Sequence, residues 1–169
     1  MEKILNKLEN FEFNVKKLDE TNIFEVLEIC KNNKKYYEKY LHEKATVEEV
    51  KTIFTALPPN TNLSQKYVLG FYDNKKLIAF MDLIVGYPIH KSSMIGLFMV
   101  ETSLQGQGFG KKIVAKILQV LKSINLSICE IGVIDNNIEG INFWKKMGFV
   151  DYDTKTQDNL ILIKMQKKL

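Results

Sequence analysis

Apolar and polar positions alternate at the start of residues 11–18 (FEFNVKKL), the pattern of a short half-buried strand. Asp19 or Thr21 then offers an N-cap for a helix carrying Ile23, Val26, Leu27 and Cys30. Residues 31–41 turn polar and aromatic. There Tyr36, Tyr37 and Tyr40 either line a substrate-facing helix or loop or form the wet edge of a core, the commoner fate of tyrosines beside lysines. Thr46-Val47-Glu48-Glu49 has the capping-box pattern and predicts a helix to about Ala56, which Pro58-Pro59 ends.

The middle of the chain changes period. Residues 66–72 and 77–85 read as strands joined by a hairpin turn at 73–76, and a second turn, centred on Tyr87-Pro88, leads into a strand over 94–100. Phe109, Ile113, Val114, Ile117, Leu118 and Leu121 then recur at helical spacing over 108–123. A strand over 127–134, a helix over 138–147 and strands over 149–152 and 160–165 close the chain. This order, β-α-α-β-β-β-α-β-α-β-β, predicts an α/β (α+β) protein: a mixed sheet with helices on its faces. Its length of 169 residues, with no Pro, Ser or Gly-rich linker and no fixed-period repeat, predicts one domain spanning 1–169.

Composition narrows the partners. The net charge is +4, and all the basic residues are lysines because arginine is absent. Arginine is the usual bidentate reader of phosphates and base edges, so a sequence-specific nucleic-acid reader is disfavoured and solvated helix faces account better for the lysines. Cys30 and Cys129 lie far apart in apolar surroundings and read as buried free thiols, not a metal or redox pair. His42 and His90, the only histidines, have no metal-site spacing. With no signal-peptide core and no apolar run near the ~18 to 20 residues of a membrane span, the expectation is a cytoplasmic protein with no metal and no membrane partner, monomeric or homodimeric.

The stretch around which the chain is organised is Gln105-Gly106-Gln107-Gly108-Phe109-Gly110, between an apolar strand and an amphipathic helix opening with Lys111 and Lys112. A glycine-rich turn at a helix N-terminus presents backbone N–H groups and a positive dipole end to an anion. The spacing G-x-G-x-G, after three antiparallel strands, is not the G-x-G-x-x-G of an alternating dinucleotide-binding unit.

These residues instead resemble motif A of the GCN5-related N-acetyltransferase (GNAT) superfamily: Arg or Gln, two residues, Gly, one residue, then Gly or Ala. The apolar strand MIGLFMV precedes it, and the run from Asn137 through Phe143, Trp144, Gly148 and Phe149 is similar to the family's second element. The resemblance covers ~65 to 165 closely and the N-terminal third by element order alone. It implies a mixed, mostly antiparallel sheet of about six to seven strands with helices on both faces, and acetyl-CoA as cosubstrate in direct acetyl transfer to a primary amine of a small molecule or peptide.

By the same resemblance, backbone amides of Gln105, Gly106, Gln107, Gly108, Phe109, Gly110 and Lys111 hold the pyrophosphate. Phe98, Met99 and Val100 pair with the pantetheine arm in the opening between strands 94–100 and 127–134, and the Val100 amide is the candidate oxyanion donor. Asn137 either reaches the pantetheine or substrate or caps a helix. Phe143 and Trp144 pack against the cofactor.

Amine attack needs a base. Asp82, a carboxylate inside the apolar run LIAFMDLIVG, is the first candidate, with a solvent-facing Asp as the alternative. Glu101 and Asp135 are weaker ones. Trp144 stands where many relatives have the tyrosine that protonates the leaving thiolate, and an indole N–H cannot do so. Tyr152, Tyr87 or water could replace it, or the thiolate could leave unprotonated. His90 is at most a substrate contact. The missing tyrosine also admits a catalytically silent acyl-CoA-binding module, and the lysines alone a nucleic-acid-binding domain.

Overall fold

In the computed structural model, which describes residues 2–169, seven strands form one sheet with helices on both faces. The strands are β1 (Asn14–Lys17), β2 (Lys66–Asp73), β3 (Lys76–Val85), β4 (Ser92–Val100), β5 (Ile128–Ile134), β6 (Val150–Gln157) and β7 (Leu160–Lys168). Their order across the sheet is β1-β2-β3-β4-β5-β7-β6, and β4–β5 is the one parallel pair. The β2–β3 and β6–β7 hairpins turn on Asn74-Lys75 and Asp158-Asn159, each pair at positive φ, the turn whose twist suits antiparallel strands.

The helices divide by face. On one face lie α1 (Glu2–Asn6), α4 (Phe109–Ser123) and α5 (Ile138–Lys146), whose buried side chains share a core with Ile95, Val133 and Met165. The apolar stripe foreseen for α4 is that core's centre, since Ile113, Val114, Ile117 and Leu121 are wholly buried. Each such burial contributes about 1.5–3 kcal/mol relative to exposure. On the other face, α2 (Ile23–Asn32), α3 (Val47–Thr55) and a π-helix (Lys35–Leu41) cover Val68, Phe80 and Met99.

Several local expectations change. The strand expected over 11–18 is only Asn14–Lys17, because Phe11 and Phe13 contact each other edge to face and Phe13 stacks on Phe109. Helix α1 was not foreseen. At Thr46 the N-cap bond of the predicted capping box forms: Glu49 N–H donates to Thr46 Oγ1 at 3.2 Å. The last two strands outrun the segments 149–152 and 160–165, since β6 is exposed along its whole length and gets its order from pairing with β7.

Candidate active site

The parallel pairing of β4 and β5 runs from Ser92↔Ile128 to Ile95↔Ile131 and stops there, although both strands continue. β5 follows β7, and β4 follows β3. The stop coincides with a bulge, because Asp82 faces Leu97 and Leu83 faces Ile95, leaving Gly96 as the extra residue of β4. Beyond it the strands diverge around a cleft of about 460 Å³. This is the opening expected between strands 94–100 and 127–134.

The β4 edge of the cleft is polar. Glu101 N–H donates to Ile78 O at 2.8 Å, so in the antiparallel alternation Met99 exchanges bonds with Phe80, while the backbone groups of Phe98 and Val100 point away from β3. Met99 therefore differs from its expected role: its backbone is committed to the sheet, and its buried side chain belongs to the core with Val68 and Phe80. The Val100 carbonyl accepts from Asn33 Nδ2 (3.2 Å) and Gln105 Nε2 (3.0 Å). The Val100 N–H and both backbone groups of Phe98 are left facing the opening.

The glycine turn follows. Gly106 and Gly108 have φ of 75° and 91°, and a Cβ on either would meet no atom within 4 Å. Gly108 is the N-cap of α4 and brings no side-chain cap, so the amides of residues 108–111 lack an intrahelical acceptor, with no acidic residue in the first turn to neutralise them. The side chains behave differently from their amides. Gln105 Nε2 braces Val100 and Asn33 (2.7 Å), Gln107 Nε2 turns back to Ser103 O (2.7 Å), and the Phe109 ring stacks on Phe13. Lys111 lines the cleft, whereas Lys112 pairs with Glu12 at 3.0 Å.

The opposite wall comes from α5. Asn137 Oδ1 accepts from Gly140 N–H at 3.0 Å, so its capping role is real, and its amide NH₂ remains on the cleft. Phe143 and Trp144 are packed edge to face (5.0 Å), with Phe98 against both, and Trp144 is buried. Gly110 lets α4 approach this cluster: its Cβ position is 3.5 Å from Phe98, Val100 and Phe143.

The remaining wall is the π-helix, whose widened turn brings Tyr36 and Tyr40 onto one face lining the cleft, while Tyr37 enters the core. Burial pushes the Tyr36 phenol up to about 12. Lys35 of this helix forms an ion pair with Glu139 of α5 across the cleft. The sequence signal for this wall was the 36, 37, 40 tyrosine spacing.

Among the carboxylates, Asp82 lies on the tyrosine face of the sheet, opposite Leu97, which lines the cleft. Lys66 Nζ donates to its Oδ1 at 2.7 Å. Burial raises the Asp82 pKa above the usual carboxylate value, and the Lys66 charge opposes that rise. Glu101 is buried, with Asn32 Nδ2 at 3.3 Å from both oxygens, and Asp135 is exposed; neither lines the cleft, and Asp82 stands just behind its wall, against Gly96 and Leu97. Tyr152 donates to Glu130 at 2.6 Å, away from the cleft, and Tyr87 and His90 also lie off it. His42 ends the π-helix. Cys30 and Cys129 are free and buried, with thiols pushed up to about 11 and 12 by burial. Among the described residues no group of three or more His, Cys, Asp or Glu could hold a metal ion, and no helix is long and apolar enough to cross a membrane.

Residues 26–149 match the model of the acetyltransferase (GNAT) family. An acetyltransferase from Thermus thermophilus has a similar structure, with a TM-score of 0.76 at 14% identity over 93% of this chain and 97% of that one. The PaiA N-acetyltransferase of Thermoplasma acidophilum, solved with coenzyme A, gives 0.68 at 18% identity over 94% and 100%. A ribosomal-protein-alanine N-acetyltransferase from Brucella melitensis gives 0.65 at 17% over 92% and 99%. No curated protein matches the chain significantly.

Proposed function

Because the chain belongs to the GNAT acetyltransferase family, we propose that it moves the acetyl group of acetyl-CoA directly onto a primary amine of a small molecule or peptide, with residues 1–169 acting as one domain. The observation that carries this reading is the unpaired edge of β4 running straight to the unpaired amides of α4. Such an edge suits an amide-bearing arm that pairs like a strand, and the helix start suits the pyrophosphate at that arm's end. Coenzyme A has that chemistry, and the open, positive-φ positions of Gly106 and Gly108 leave the turn bare enough to receive it. Lys111 adds charge, Asn137 a donor, and Phe143 with Trp144 an apolar wall.

When bound, acetyl-CoA supplies a thioester whose C–S bond breaks as a C–N bond forms to the amine. Val100 N–H would hold the carbonyl oxygen where negative charge develops. An amine with pKa near ~10.4 arrives protonated, and Asp82 would take that proton before attack. Among the described residues Asp82 Oδ2 accepts no hydrogen bond, its Oδ1 being held by Lys66. Tyr36, at about 12, is a weaker acid than a thiol near ~8.5, so it would donate a hydrogen bond and keep its proton. The proton lost from nitrogen as the amide forms goes to the departing sulfur, which balances the transfer. The free thiols support a cytoplasmic setting.

Trp144 favours one other reading, a silent acyl-CoA-binding module. Steady-state thiol release with acetyl-CoA and tyramine, lysine methyl ester, spermidine or an alanine-started peptide separates the two. The enzyme reading expects amine-dependent release with at least one acceptor, and none with any would favour the silent module.

A further inference from the structure

The geometry points to Lys66 as a positioning residue for acetyl transfer: it fixes the Asp82 carboxylate with one oxygen on its ammonium and the other beside Gly96 of the cleft wall, resting on the reading of Asp82 as base. Lys66 opens β2 and is 3% exposed, an unusual place for an ammonium, which loses hydration that a partner must replace. Its register partner is Ile84, and that of Asp82 is Val68, so Lys66 and Asp82 are diagonal neighbours on one face across β2–β3. The Nζ–Oδ1 contact is 2.7 Å. Oδ2 lies beside Gly96, where a Cβ would be 2.7 Å from it, and Gly96 lines the cleft.

Three features thus meet at one point: the bulge that ends the β4–β5 pairing, the residue without a side chain at that bulge, and a carboxylate whose free oxygen fills the vacated space. A plain structural ion pair needs neither the glycine nor the adjoining cleft, and apolar residues in its place would serve stability as well. Other groups from the elements packed on this face are engaged elsewhere. Glu25 of α2 accepts from Tyr72, Glu49 of α3 faces Tyr37, Cys30 and Tyr37 lie in the helical core, and Tyr36 and Tyr40 face the cleft. Lys66 is the charge that acts on Asp82.

The test compares the full-length wild type with Lys66→Met, Lys66→Arg and Asp82→Asn. The first readout is the pH profile of kcat/KM for thiol release with the fastest amine of the panel above. The second, which needs no acceptor, is the NMR titration of the Asp82 carboxyl carbon. Removing the ammonium leaves the carboxylate desolvated and unpaired, so in Lys66→Met the Asp82 midpoint and the acid limb of the profile should both rise by about 1 to 3 pH units. In Lys66→Arg, the charge stays but the geometry changes, so kcat should fall at unchanged KM for acetyl-CoA. An unmoved Asp82 midpoint in Lys66→Met overturns the assignment, as does an unchanged kcat in Lys66→Arg should the Met variant not fold. A limb that disappears in Asp82→Asn but stays in place in Lys66→Met refutes the role of Lys66 alone. A limb that survives Asp82→Asn refutes Asp82 as base instead.

Discussion

A Cβ on Gly96 would come within 2.7 Å of Asp82 Oδ2, the carboxylate oxygen that Lys66 leaves free. Gly96→Ala should therefore push the carboxylate off Lys66. The expected loss is about 1–3 kcal/mol of stability, the usual cost of overpacking, with a fall in kcat and little change in acetyl-CoA affinity. Denaturant melts and steady-state kinetics check this, and full activity in Gly96→Ala would count against Asp82.

Gly108 and Lys112 divide the anion site between backbone and side chain. Gly108 sits at φ 91° over open space, and an aspartate there would strain the turn and put negative charge at the unpaired amides. Lys112 is already held by Glu12 at 3.0 Å. Gly108→Asp should abolish acetyl-CoA binding and Lys112→Ala weaken it only modestly, measured as dissociation constants. The reverse order would overturn recognition through the main chain.

Asn137 does two things with one amide. Asn137→Ala loses the cap of α5 and should cost about 1 kcal/mol in a chemical melt. Asn137→Asp keeps the capping oxygen and should recover most of that stability without recovering cofactor affinity. Equal affinity in wild type and both variants would leave Asn137 a cap only.

The Tyr36 phenol, held at about 12, is placed as a hydrogen-bond donor and not an acid. Tyr36→Phe should reduce kcat by about tenfold or less, the worth of one neutral hydrogen bond. The acid limb should stay where it is, with a plateau above it in both proteins. A basic limb present in the wild type and absent from Tyr36→Phe would show instead that Tyr36 transfers its proton.

The acid side of the profile follows Asp82. Its pKa lies above the ordinary carboxylate value because burial outweighs the Lys66 charge. The base is present when deprotonated, so kcat/KM should fall as pH drops through that raised value and level off above it. A profile flat down to the usual carboxylate range would contradict the base assignment.

The strand-turn-helix around Gly108 and the capping of Asn137 were legible because glycine spacing and Asx caps are local chemistry written in adjacent residues. So was the order of the strands along the chain, although the length of β6, exposed throughout, comes from its pairing with β7. What the sequence hid depends on partners far along the chain. Lys66 and Asp82 meet through β2–β3 register, and Gly96 is a bulge only because β3 has no residue opposite it. Likewise, Gln105 reads as a motif residue, yet its side chain braces Val100 and Asn33, a contact that depends on where α2 ends. Tyr36 and Tyr40 on the cleft were one of the two fates their spacing offered, whereas the π-turn that carries them is not encoded in the local pattern.

The central claim is that the edge of β4 and the start of α4 together hold acetyl-CoA. Calorimetric titration of the full-length protein with acetyl-CoA tests it most directly: saturable binding at submillimolar ligand is predicted, and no binding in that range would contradict it.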